Sequence, residues 1–418
     1  MTARRPWGEA LLAMIVLAGA IASGWRLLVD GKLPQPFVPD SWDTFMDWFN
    51  PAWWSHGSDA YSVFHSVYPP LSFVLLRAVG LPGCYAHGAF VARDCDTLAP
   101  VLIVGFYLLS AGMAALALWR HDRRTAVPRA LAFAFGLPLL FALERGNLLL
   151  LCLPAFIAVY GLARGERGRA VAAAIALNFK PYLLVPLAAW AAQGRWRLLK
   201  LTALIAAAIY LASMLLFGGG NPVQLAYNTR GFARLAEPLV WEQGLYSTSL
   251  THFRGFADLL PADVTRFFVA VPAVVLVTVV LVVLCQVGAW LRQGRLSDAR
   301  LALLLLGAFL AVQSPGGYTY AFVVFLLFLE GGERPGMKIA LTAAYLLCFP
   351  FDLPFGAGFP NATWPSESWL TGAQVINEFH ASVGMFARPI LLLVLVWALA
   401  IDSLLLLAPQ TGPRMRLA

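Results

Sequence analysis

The chain has 418 residues, of which 60% are hydrophobic and 12% charged, and its mean hydropathy is +0.72. A soluble chain averages about 25% charged residues, so these ionic groups are too few to cover a water-facing surface, and a soluble globular domain is excluded. The net charge of +8 could suit nucleic acid, but the positions of the bases argue for membrane topology instead.

Arginines and lysines cluster in short connectors: Arg4-Arg5; Arg120, Arg123, Arg124 and Arg129; Arg164, Arg167 and Arg169; Arg195, Arg197 and Lys200; Arg292, Arg295 and Arg300; Arg334 and Lys338; Arg414 and Arg416. These are alternate connectors, the pattern of bases held on the cytoplasmic side. Both termini are expected there. The acids partition the other way: only Glu9, Asp122, Glu166, Asp298, Glu330, Glu333 and Asp402 fall on or near the inner side. Orientation does not require this of acids, so the outer face is where carboxylates could be used.

The elements follow in chain order. Trp7 to Leu28 reads as an uncleaved first helix, because its apolar run exceeds the roughly 7–15 residues of a signal-peptide core. A long external loop, 30–96, comes next; its Cys84 and Cys95 share an oxidising compartment, where a disulfide can form. Leu98–Trp119 returns, Ala130–Leu143 goes out and Asn147–Ala163 comes back. Ala170–Phe179 and Tyr182–Ala192 are each too short to span at about 1.5 Å per residue. They read as a helical hairpin with Lys180-Pro181 at its tip. Leu201–Phe217 leads to a second external loop, 218–265, and Phe267–Leu291 returns. Leu301–Val312 goes out to the helix-breaking Ser314-Pro315-Gly316-Gly317, and Tyr318–Leu329 returns. Ile339–Phe351 leads to a third external loop, 352–383, and Arg388–Leu407 closes the chain. The expectation is one all-α polytopic transmembrane bundle over 1–418, of about 10–13 membrane helices, with short interfacial helices in the first external loop.

Candidate chemistry sits at the external ends. Asp43 and Asp47, four apart, would share one face of a helix, with Phe45, Met46, Trp48 and Phe49 against lipid or protein. Two acids one turn apart repel slightly, so structure alone supplies no reason for the pair. Arg145 ends a membrane helix on the outside, against the positive-inside trend, with a pair to Glu144 as the plain alternative. Lys180 stands among apolar residues, where an ionisable group is a functional candidate and snorkelling is the alternative. Tyr246-Ser247-Thr248-Ser249-Leu250-Thr251-His252-Phe253-Arg254 gathers hydroxyls, a His and an Arg that suit a phosphate or sugar, or ordinary loop hydrogen bonding. Glu378 and His380 are isolated. No Walker loop, dinucleotide fingerprint, metal-spaced His/Cys cluster or nucleophile elbow is present, and no cofactor or metal is expected.

At these residues the chain resembles the lipid-linked-sugar glycosyltransferases of GT-C architecture, specifically glycosyltransferase family 87. The resemblance is carried by Asp40-Ser41-Trp42-Asp43 at the start of the first loop, Tyr61 with Tyr68-Pro69-Pro70, and Gly146-Asn147. Asn178-Phe179-Lys180-Pro181 with Arg195-Trp196-Arg197, and Ser249-Leu250 with Arg254, complete it. The family often has Asn-Gln-Ser-Leu where this chain has Ser247-Thr248-Ser249-Leu250, and His where it has Tyr318 and Tyr320. The resemblance implies inverting transfer of a hexose, mannose by analogy, from a polyprenyl-phosphate donor to a lipid or glycan hydroxyl at the outer face. It implies Asp43 as base, with Asp47 next and Asp40 third. Arg145, Lys180 and Arg254 would face the donor phosphate; Asp40, Tyr68, Asn147, Ser249 and Tyr318 would line the substrate site. Expected partners are the donor, the acceptor and membrane lipids, with no nucleic acid. Ala-, Leu- and Arg-rich usage points to a bacterial inner membrane, with the site on the periplasmic or extracellular side. A polysaccharide polymerase or ligase, a transporter or flippase of lipid-linked sugars, and a non-catalytic assembly subunit are the competing readings.

Overall fold

A computed structural model of the protein describes residues 7–57, 59–235, 247–251 and 269–408. The described chain is mainly helical. Six helices are long and apolar enough to cross a membrane: α1 (Trp7–Asp30), α5 (Leu98–His121), the pair α6 (Ala126–Ala134) and α7 (Leu137–Arg145) end to end, α11 (Trp196–Phe217), α13 (Val271–Leu291) and α17 (Val383–Leu407). The outer faces of α1, α5, α11 and α13 expose large apolar side chains such as Leu11, Trp25, Val101, Leu108, Leu204, Leu215, Leu276 and Leu284. An apolar surface of that extent marks contact with lipid. The protein is membrane-embedded.

Shorter helices pack among these six: α8 (Leu149–Ile157, continued by one wider turn to Leu162), α14 (Asp298–Val312), α15 (Tyr320–Phe328) and α16 (Pro335–Leu347), the last with Lys338, Ile339 and Thr342 on an exposed face. Every residue of α15 is buried. A helix apolar on all sides suits a position ringed by other helices, and being shielded it has no need of the length a lipid-facing span requires. This is why the number of long spans falls below the number of apolar segments in the sequence.

The expected hairpin is present. α9 (Glu166–Leu177) rises, the chain turns through Asn178–Lys180, and α10 (Leu184–Ala192) descends. The Asn178 amide donates to Ala174 O at 2.9 Å and to Ala206 O of α11 at 3.1 Å, satisfying the carbonyls at the turn.

At the end of the bundle where α1 begins and α5 finishes, the connector end, buried arginines meet acids from distant segments. Arg129 grips both Glu9 oxygens, at 2.8 and 3.0 Å, and Tyr345 donates to Glu9 at 3.0 Å. Arg300 bridges Glu330 at 2.8 Å and Asp402 at 3.0 Å. Arg169 and Arg195 share Asp298, at 2.6 and 3.0 Å.

The opposite, loop end holds short elements: α2 (Met46–His56), α3 (Pro70–Val79), α4 (Ala89–Cys95) and α12 (Pro222–Leu235). Cys84 and Cys95 are joined in a disulfide. The third loop departs from the all-α expectation. Strands β1 (Asn361–Glu367) and β2 (Gln374–His380) pair antiparallel, Asn361 opposite His380 and Glu367 opposite Gln374. Val375, Asn377 and Phe379 alternate inward along β2, a period-two pattern broken in the sequence by a polar inward residue. That residue, Asn377, accepts from Ser41 Oγ and donates to Asp40, both at 3.1 Å. The hairpin is thereby fastened to the first loop.

Candidate functional site

The first loop does not run as one helix through its acids. Asp40 caps a single 3-10 turn, Ser41–Asp43, by accepting from Trp42 N at 3.0 Å. Thr44 is extended and Phe45 has φ +65°, so α2 starts afresh at Met46. The shared helical face expected for Asp43 and Asp47 is therefore absent. Met46, Trp48 and Phe49 are buried in protein.

Arg145 brings the two carboxylates together instead. One guanidinium nitrogen, Nη1, donates to Asp43 Oδ2, and Nη2 donates to Asp47 Oδ1 at 2.6 Å. Asn147 Nδ2 takes the other Asp47 oxygen at 2.6 Å, and its own Oδ1 accepts from Leu149 N at 2.9 Å. Gly146 makes this geometry possible. Its φ is +60°, and a Cβ there would meet Phe45 O at 3.1 Å and Phe45 Cα at 3.2 Å. Phe45 N donates to Glu144 O at 2.9 Å, seating the loop on the end of α7.

The environments of the two acids diverge. Burial is the largest influence on Asp43 and raises its pKa above the usual carboxylate value, only partly offset by Arg145. Burial also pushes Asp47 up, but the charge and hydrogen bond of Arg145, the Asn147 bond and the nearby Lys180 together hold it below the usual value. Paired groups driven apart in this way divide naturally into a proton acceptor and a fixed anion. Asp43 is also the more open of the two, its side chain 36% exposed against 23% for Asp47.

Lys180 stands alongside. Its ammonium lies 4.7 Å from the centre of the Tyr68 ring and 5.5 Å from that of Tyr318; among the described residues it makes no salt bridge. Tyr318 stacks on Phe141 at 5.9 Å and donates to Pro315 O at 2.6 Å. That fold-back needs Gly316, where φ is +116° and a Cβ would lie 2.6 Å from the Tyr318 ring. Tyr68 is held through its carbonyl by Tyr61 OH at 2.8 Å.

Asp43, Asp47, Arg145, Asn147, Lys180, Tyr68 and Tyr318 thus form one cluster at the loop end. Asp40 is occupied elsewhere, accepting from Ser366 Oγ at 2.9 Å as well as from Asn377. Ser249 donates to Ala311 O at 2.5 Å and Thr248 to Leu310 O at 3.0 Å and Gln313 O at 3.1 Å. These hydroxyls satisfy carbonyls at the end of α14, as a helix terminus requires. Arg254 lies outside the described residues. Glu378 pairs with Lys32 at 3.1 Å. Tyr182, whose buried hydroxyl has no partner among the described residues, also neighbours the cluster; its place directly after Lys180-Pro181 is the only signal of this in the sequence. Arg93, another buried cation, donates to Trp42 O and lies over the Trp42 ring at 4.6 Å.

No family model, curated protein or solved structure matches the chain. What the cluster can do follows from its own groups. It offers a half-open carboxylate able to accept a proton, and a lysine able to face an anion. Both stand beside an apolar bundle that could hold a hydrocarbon chain.

Proposed function

We propose that the protein is an inverting glycosyltransferase of GT-C type, resembling family 87, that moves a hexose from a polyprenyl-phosphate donor to a hydroxyl of a lipid or glycan acceptor. The loop end would face the periplasm or cell exterior. The observation that carries this reading is the pairing of Asp43 and Asp47 on Arg145, beside a buried lysine with no carboxylate of its own among the described residues.

Asp43 accepts the proton of the acceptor hydroxyl as its oxygen attacks the anomeric carbon. The bond from that carbon to the phosphate oxygen breaks, and the polyprenyl phosphate departs with the electron pair. Lys180 stabilises the charge that gathers on the phosphate. Arg145, expected at the phosphate, is taken up by two carboxylates, and its role is to position Asp43 while Asp47 balances its charge. A raised pKa makes Asp43 a better base than an ordinary carboxylate of pKa about 3.9.

The test is transfer by purified full-length protein in nanodiscs. Radiolabelled polyprenyl-phosphate-mannose serves as donor and crude membrane lipids as acceptors, comparing the wild type with Asp43→Asn and Asp47→Asn. Transfer lost in Asp43→Asn with folding intact supports the assignment. Absence of transfer from any polyprenyl-phosphate sugar by folded wild type would move the reading to transport or polymerisation.

A further inference from the structure

A cavity of about 310 Å³ lies behind the first loop. Gly24 of α1, Val104 of α5, Glu144 of α7, Phe45 of the first loop and Trp369 of the β-hairpin turn are among its walls. α1 and α5 both pack on α6, and the cavity occupies the gap that opens between them over α7. Its walls include the exposed Gly24 and Val104, so it opens sideways, toward lipid. The volume is at the lower end of the range for small-molecule sites, about 300–1,000 Å³.

Its lining is mainly apolar, and Glu144 is the one acid or base among the residues that line it. Glu144 is 8% exposed, and its Oε2 is buried with no hydrogen-bond partner among the described residues. A buried polar atom left unpaired is costly, and its persistence at a cavity wall points to a ligand that supplies a donor. None of the described lining residues is a lysine or arginine that could neutralise a phosphate, whereas a hydroxyl can hydrogen-bond to the carboxyl group without a counter-charge.

We infer that this cavity binds the acceptor side of the reaction: the hydrocarbon chain of a neutral, hydroxyl-bearing lipid enters between α1 and α5, with a hydroxyl donating to Glu144. The acceptor role rests on the transferase reading above; the lipid site itself does not. In this arrangement the two lipids approach by separate routes, the phosphate-bearing donor toward Lys180 and the neutral acceptor along α1. The Asp43 segment separates them.

Gly24 supplies the test, because a Cβ added there meets nothing within 4 Å. Gly24→Leu fills the mouth of the cavity without strain. Purified full-length protein is photolabelled with a diazirine-bearing monoacylglycerol, and in parallel with the matching lysophosphatidate, and the labelled peptides are mapped. Expected is labelling of the α1 and 366–370 peptides by the monoacylglycerol, reduced about tenfold in Gly24→Leu and in Glu144→Leu, and weaker labelling by the phosphate probe. Labelling that ignores both substitutions, or that favours the phosphate probe, overturns the inference. The transfer assay separates the two claims. If labelling behaves as expected while wild type transfers no sugar, the lipid site stands and the transferase reading falls. If transfer is normal in Gly24→Leu, the cavity is not the acceptor's.

Discussion

The two ends of the bundle treat their charges differently. At the connector end, Arg129, Arg169 and Arg300 are each matched to carboxylates from other segments, with Tyr345 and Ser297 taking further oxygens. At the loop end, Lys180 has aromatic rings in place of a carboxylate, Glu144 makes no salt bridge among the described residues, and Asp43 has a raised pKa. Where folding alone sets the requirement, buried charges are brought to pairs, because an unpaired one is expensive in an apolar interior. Charges left incompletely matched are the ones a ligand or a proton can complete.

Substitutions at the two ends should therefore separate stability from activity. The largest stability effect is expected for Arg300→Leu, which strands Glu330 and Asp402 together. Breaking a buried pair costs about 3–5 kcal/mol, so thermal unfolding in detergent should fall steeply, with surviving folded protein keeping its transfer rate. Asp43→Asn should do the reverse. Transfer should drop about 10²–10⁴-fold, the share of a general base, while the unfolding temperature holds or rises. A large loss of stability there would place Asp43 with the structural pairs.

Gly146→Ala comes next. It forces a left-handed residue against Phe45 and should cost about 1–3 kcal/mol. Because the displaced loop carries Asp43, transfer should fall as well, which separates it from Arg300→Leu.

The pH dependence sharpens the comparison of the two acids. With Asp43 raised in the fold, its ionisation opposes folding: the favourable contribution is full below the unfolded value and is lost as pH rises through the folded one. Asp47, held low, contributes stability above its unfolded value, and that contribution is lost as pH falls through its folded value. The acid limb of the transfer rate should accordingly lie above the ordinary carboxylate range, since Asp43 must be ionised to act, and a limb below the ordinary value would point to Asp47. The smallest effect is expected for Ser249→Ala: about 1 kcal/mol of stability from a lost hydrogen bond and transfer within about twofold of wild type. A larger kinetic loss would make Ser249 a substrate contact.

Part of the site is legible in the amino-acid sequence. Lys180 and Arg145 stand out because ionisable groups at those places in an apolar chain are costly, with snorkelling and a pair to Glu144 as their plain alternatives, and both lie in the cluster. Asp43 and Asp47 are legible as a pair, but through the wrong geometry: a four-residue spacing says helix, and the left-handed Phe45 interrupts it. The hydroxyls of 247–251 resemble ligand groups because composition cannot tell a capping hydroxyl from a binding one. Glu144 suggests itself as the partner of Arg145 because the two are adjacent, yet neighbouring side chains on a helix do not face each other. The β-hairpin is hidden because Asn377, inward for the sake of Asp40, spoils the apolar alternation.

The sequence by itself determined that the chain is membrane-embedded, where its apolar helices lie, and which connectors collect bases. These are local properties, set by runs of about 20 residues meeting lipid or water. Only the tertiary structure decided which charges meet. Arg145 reaches Asp43 across 102 positions, Arg300 reaches Asp402 across 102, and Asp40 reaches Asn377 across 337. Such pairings depend on which helix faces pack together, and no local pattern records that.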